Sequence, residues 1–166
     1  MIIASLPQDP QILAAIGAVG VRHGQLDYAL RMTVKSISGI GIGPALDATE
    51  GKSSHELRQL IRKMARKKLG DASNSYLLLA ALLTRAQEVT RQRNEFMHGL
   101  WAFDLDEGRD RFRHKSKDWR ETPKADELTA LADETAQIAD ELHEARLHGF
   151  LKEALSEAEE TSVGSS

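Results

Sequence analysis

Apolar positions recur at helical spacing along most of the chain. Ile12, Ile16, Val19, Leu26, Leu30, Val34 and Ile37 predict a long first helix. Asp9 is its candidate N-cap, and Pro10 sits in the first turn, where proline's missing N–H leaves no helical bond unmade. Gly17, Gly20 and Gly24 fall inside the pattern, each about 1 kcal/mol worse than alanine in a helix interior. The small strip Ala14, Gly17, Ala18 and Val21 predicts a close helix crossing there, with a bend as the other reading. Ser38 to Lys52, rich in glycine and carrying Pro44, reads as a loop. Its G-x-G-x-G-P spacing does not put the third glycine at the position a nucleotide-binding loop requires, and no lysine follows.

Ser53 and Glu56 form a capping-box pattern that opens a second helix to Leu69, with Leu57, Leu60, Ile61 and Met64 as its apolar face. Gly70 stops it. A third helix begins near Ser73 or Ser75 and ends near His98 and Gly99. Its first half is apolar nearly all round, which marks a central helix. From Leu100 to Lys115 the period shortens. Trp101 and Phe103, then Arg111-Phe112-Arg113, flank the turn residues Asp106-Glu107-Gly108, which fits a short β-hairpin or an irregular loop. A fourth helix follows Thr122 and Pro123 and runs to about Ala158, with Gly149 as a kink. The expected fold is therefore all-α. It is an antiparallel four-helix-type bundle, with a hairpin or extended loop between helices three and four. A single domain over 1–158 and a flexible C-terminal tail over 159–166 complete it.

Composition narrows the function. The 166 residues are 41% hydrophobic and 28% charged, ordinary for a globular chain, and their length suffices for a core without staples. The formal net charge of −3 excludes bulk attraction to nucleic acid or anionic lipid, so any such binding needs a local patch. With no cysteine, thiol catalysis, thiolate metal sites and disulfides are excluded. The longest apolar run, Tyr76 to Leu83, is too short to span a membrane, and the start from Met1 to Pro7 lacks a basic residue. A cytoplasmic protein with no membrane partner is the expectation.

The charges are segregated. Lys52, Arg58, Arg62, Lys63, Arg66, Lys67 and Lys68 face one acidic residue, Glu56, in helix two, while Lys124 to Glu160 carries eleven acidic and three basic residues. Arg58, Arg62 and Arg66, four apart, form one stripe, able either to track phosphates or to pair with the acidic helix, within the chain or across a dimer. No metal is expected. His143-Glu144 and His148 are spaced H-E-x-x-x-H, which turns the second imidazole by about 140° on an ideal helix. No cofactor motif is present.

The informative segment is Arg91-Gln92-Arg93-Asn94-Glu95-Phe96-Met97-His98-Gly99-Leu100-Trp101. Asn94 and His98 share a helix face, and the long Arg93 side chain can reach the same place. His98 falls at the helix C-terminus, where the dipole favours a protonated imidazole, and Gly99 is able to end the helix in left-handed backbone. A guanidinium, an amide and an imidazole suit an RNA phosphate, since arginine neutralises phosphoryl oxygens and histidine moves a proton near neutral pH. The plainer reading has Arg93 and Asn94 bonding helix-end carbonyls and His98 capping the helix. Arginine followed by histidine after four to six residues occurs at Arg91–His98, Arg93–His98 and Arg109–His114. Only the second has the adjacent asparagine and the His-Gly-Leu-Trp continuation at the end of a core helix. His23, Arg85 and Arg91 are expected at the surface, with a place in the motif's cleft as the other reading. Trp101 is expected under the hairpin, and Trp119 is a candidate for base stacking.

This segment resembles the R-N-x-x-x-H motif of HEPN-domain proteins, and the flanking H-G-L-W is similar to bacterial members whose motif helix runs into a hairpin. The resemblance covers the motif closely and the rest only as a pattern of helices. It implies a helical bundle that dimerises with both motifs facing one cleft, and metal-independent RNA cleavage by 2′-hydroxyl attack, often in toxin–antitoxin or phage-defence systems beside a partner protein. By matching positions Arg93 and His98 are the implied catalytic pair, with Asn94 orienting them. Arg58, Arg62, Arg66 and Arg91 are the expected RNA-binding residues. Other members have lost activity and serve as binding modules, which is the alternative function.

Overall fold

The computed structural model describes residues 1–115 and 118–163. The chain is mostly helical, with a small antiparallel sheet of four strands. The elements run β1 (Ile2–Ala4), α1 (Pro10–Ser38), α2 (Ile42–Thr49), α3 (Ser54–Leu69), α4 (Asn74–Met97), β2 (Leu100–Asp104), β3 (Arg109–Arg113), β4 (Arg120–Glu121), α5 (Ala125–Leu147) and α6 (Phe150–Val163). No described helix is long and apolar enough to cross a membrane. The chain divides into two compact units, Met1–Gly24 with Val89–Thr135, and Gln25–Glu88 with Ala136–Ser166.

The first unit holds the sheet, in the order β1-β2-β3-β4, every neighbour antiparallel. β2 and β3 pair from Leu100↔Arg113 to Asp104↔Arg109, and Gly108, at φ 64°, closes the turn between them. β1 adds itself along β2 through Ile3↔Phe103. Three residues carry no readable period, and their partner lies about a hundred positions away, so sequence pattern is silent on this strand. The fully buried Phe112 anchors the sheet. Its ring lies 4.8 Å from that of Trp101, edge-on, and 6.2 Å from that of Phe96.

The second unit buries Leu26 and Leu30 of α1, Leu57 and Ile61 of α3, Leu79 and Leu83 of α4, Leu142 of α5 and Leu151 of α6. The capping box at Ser53 is formed. The Ser53 side chain accepts from the Glu56 amide, and Glu56 accepts from the Ser53 amide at 2.8 Å. Lys68 of α3 pairs with Glu159 of α6 at 3.0 Å, one of the basic-to-acidic contacts that the charge segregation suggested.

Four expectations change. The expected loop over Ser38 to Lys52 contains α2. Gly41 caps it, Pro44 lies in its first turn, and Ala45 and Thr49, four apart, turn inward. Punctuation by glycine and proline masked two helical turns. The glycines of α1 do not mark a crossing. A Cβ at Gly17 or Gly24 meets nothing within 4 Å, and at Gly20 it meets only Met97 Cε at 4.0 Å. The expected kink at Gly149 is a full break between α5 and α6, where the amides of His148 and Gly149 both donate to the Glu144 carbonyl. Helix α6 continues to Val163, so 159–163 of the expected tail are helical, and the last three residues lie outside the described ones.

Candidate functional site

The motif ends α4 within the first unit. Helix termination leaves carbonyls without amide partners, and this end satisfies two of them with nearby groups. The His98 amide donates to Asn94 O at 3.1 Å, and the Trp101 indole N–H donates to Phe96 O at 3.1 Å. Gly99 makes the exit sharp. A Cβ there would stand 2.2 Å from two ring carbons of Phe112 and 2.9 Å from Glu95 O. Its φ is not in the left-handed region, contrary to the sequence expectation. The position needs glycine for space, because the helix end and the Phe112 ring meet there. His-Gly-Leu-Trp is therefore a packed joint between a helix and a strand.

The three motif residues stand on the last turn of α4 and the residue after it. Arg93 Nη1 donates to Asn94 Oδ1 at 2.9 Å, so the guanidinium and the amide form a direct pair. Arg93 is half-buried. Its Nε is shielded from solvent with no hydrogen-bond acceptor, and the residue has no carboxylate partner among the described residues. His98 is exposed, just beyond the last helical residue, and its ring makes no hydrogen bond or ion pair among the described residues. No hydrogen bond joins it to the Arg93–Asn94 pair. The carboxylate inside the motif, Glu95, takes an ion pair from Arg120 and another from Arg91 at 3.7 Å. It is thereby engaged away from Arg93. The residues are a half-buried guanidinium bonded to an amide and a solvent-facing imidazole, chemically a donor to oxyanions and a proton carrier.

The remaining candidates are scattered. Arg58 is buried, only 5% exposed, and burial lowers its pKa while the charge of Asp27 opposes that shift. The expected basic stripe on α3 is broken at its first member. Arg62 donates to Thr84 Oγ1 at 3.0 Å, and Arg66 donates to the Tyr76 hydroxyl at 3.2 Å and lies over that ring. Arg91 is exposed, in its pair with Glu95. His23 is not at the surface as expected. It is buried, with Nε2 3.3 Å from Thr90 Oγ1. Arg85 is half-buried against Glu141 at 2.6 Å. His143 accepts a hydrogen bond from Arg146 through Nδ1, and burial together with the Arg146 charge lowers its pKa. No cluster of three or more potential metal ligands occurs among the described residues.

A second feature lies in the other unit. A groove of about 400 Å³ runs beside α4 and α5, floored by Leu78, Ala81, Leu82 and Ala145 and walled by Phe150, with Arg85–Glu141 at its edge. The groove is not legible in the sequence, because it depends on the break at Gly149, where the helical pattern alone implies a kink. No family model, curated protein or solved structure matches this chain.

Proposed function

We propose that this chain is a HEPN-like, metal-independent endoribonuclease of the toxin–antitoxin or phage-defence type, acting in the cytoplasm as a homodimer of antiparallel helical bundles. The reaction is attack of a ribose 2′-hydroxyl on the adjacent phosphorus. The 2′-oxygen loses its proton and bonds to phosphorus. The bond to the 5′-oxygen of the next nucleotide breaks, and that oxygen takes up a proton. The products are a 2′,3′-cyclic phosphate and a 5′-hydroxyl. His98 acts as the general base or acid, Arg93 stabilises the charge gathering on the non-bridging oxygens, and Asn94 positions Arg93.

The observations that support this reading are that Arg93 is bonded to Asn94 and has no carboxylate partner among the described residues, and that the exposed His98 ring, five residues on, has no partner among them either. A residue that merely closed a helix would turn its hydrogen-bonding groups onto the helix end. Here Trp101 and the His98 backbone do that work. Dimerisation would double the cationic motif in one cleft and offset the acidic whole.

The test is cleavage of end-labelled RNA by purified protein in EDTA, beside Arg93→Ala and His98→Ala. Cutting by the parent alone, leaving cyclic phosphate ends, is the expected result. A folded dimeric parent that cuts no RNA among varied substrates overturns it. The groove beside Phe150 favours one alternative, a catalytically inactive HEPN-like module that binds a partner protein such as an antitoxin.

A further inference from the structure

Arg58 of α3 is buried, and the sheet of the first unit carries another cationic group, one that lies on the same unit as the motif. Four arginines project from β3 and β4. Arg109 is paired with Glu107. Arg111 is paired with Glu107 at 2.6 Å and lies 3.9 Å from Asp104. Arg120 is paired with Glu95. Arg113 differs from all three. Its guanidinium carbon lies 4.8 Å from the centre of the Trp119 ring, and it has no carboxylate partner among the described residues.

Position ties Arg113 to the motif. Its Cα partner across the sheet is Leu100, two residues after His98. Partner Cα atoms in a ladder stand about 5 Å apart, and two residues of chain add at most about 7 Å. The two Cα atoms are thus within about 12 Å, a distance that a few nucleotides of an extended strand span. Lys115, exposed two residues beyond β3 with φ 55°, adds a second positive charge on the same stretch of chain.

A guanidinium resting against an indole keeps its planar fork in a fixed orientation, which suits bidentate contact with a phosphate. The half-buried Trp119 offers an aromatic surface of the kind on which an unpaired base stacks. Bases inside a duplex are not open to such stacking. Together the pair matches a phosphate and a neighbouring unpaired base. We infer that Arg113 and Trp119 form the strand-holding subsite of the motif, which binds single-stranded RNA and presents it to His98. This rests on the nuclease reading above.

The experiment uses the His98→Ala chain, so that RNA stays intact, and a short fluorescein-labelled single-stranded RNA followed by anisotropy across a salt series. On that background Arg113→Ala weakens binding about tenfold and flattens the slope of log K against log salt by about 0.7, the value of one single-strand phosphate. Arg113→Lys keeps the charge and most of the slope but loses affinity. Trp119→Ala weakens binding about tenfold, and Trp119→Phe restores much of it. Lys63→Ala, exposed on α3, leaves affinity unchanged. An Arg113→Lys or Trp119→Phe chain that folds normally fixes the meaning of any failure of the alanine variants.

The subsite is overturned if Arg113→Ala binds with the parent's affinity and slope, if duplex RNA binds as tightly through the same residues, or if no RNA binds. The two readings separate in the cleavage assay. A parent that cuts RNA, with Arg113→Ala equal to it in kcat/KM, keeps the nuclease and removes the subsite. RNA held through Arg113 by a chain that cuts nothing keeps the subsite and removes the nuclease.

Discussion

Replacing Gly99 by alanine tests the packed joint that carries the motif. Gly99 does not sit in left-handed backbone, so the ordinary expectation is a gain of about 0.4–1 kcal/mol from a less flexible unfolded chain. The structure reverses that sign. The new methyl would lie 2.2 Å from Phe112 Cε2 and Cζ, well over an ångström inside contact distance. The Phe112 ring cannot swing away freely, because it is fully buried, packed edge-on by Trp101, and covered by Arg120, whose guanidinium carbon is 4.9 Å from its centre. Overpacking of this kind costs about 1–3 kcal/mol. Displacing Trp101 also loses its bond to Phe96 O, about 1 kcal/mol more. The net expectation is a loss of about 1–3.5 kcal/mol. It is read as a lower urea midpoint at unchanged slope, with altered near-ultraviolet dichroism from Trp101. Phe112→Leu in the same chain should recover part of the loss, with a coupling above about 0.5 kcal/mol. A Gly99→Ala protein as stable as the parent, or more so, refutes the joint.

The same substitution has the opposite effect in α1. Gly17→Ala meets nothing within 4 Å and should raise stability by about 0.5–1 kcal/mol in urea denaturation. His143 has its pKa lowered first by burial and then by Arg146, so the unfolded chain binds its proton more readily than the folded one. Stability from this group is present above its ordinary value of 6.5 and is lost as pH falls through the folded value, and His143→Gln should flatten that part of a urea-midpoint profile. Glu141 is held low, first by its hydrogen bond from Arg85. Its contribution is present above the ordinary carboxylate value of 4.5 and is lost on further acidification, so Arg85→Met should lower stability at pH 7 more than at pH 3.

Local chemistry made several elements legible. Pro10 opens α1, the Ser53–Glu56 box opens α3, and the motif ends α4, because caps and first-turn prolines act within a few residues of themselves. Where a signal depends on remote partners the sequence is mute or misleading. β1 exists only because β2 lies beside it. Gly99 reads as a conformational glycine until Phe112 is seen against it, thirteen positions on. Arg58, Arg62 and Arg66 have the right spacing for a stripe, but spacing does not report that Arg58 is buried or that Thr84 and Tyr76 occupy the others. Arg113 and Trp119 went unpaired in the sequence reading, since nothing in the segment between them announces that they meet. The adjacent Arg93 and Asn94, by contrast, need only a helix to meet.

The proposed reaction is attack by a 2′-hydroxyl under the control of His98 and Arg93. The most direct measurement uses an RNA cut at one mapped position and its twin carrying a single 2′-deoxyribose there, both with the parent and with His98→Ala, in EDTA. The parent should cut the all-ribose strand to a cyclic phosphate end and leave the deoxy twin whole while binding it, and His98→Ala should cut neither. Cutting at the deoxy position, or cutting that survives the loss of His98, contradicts it.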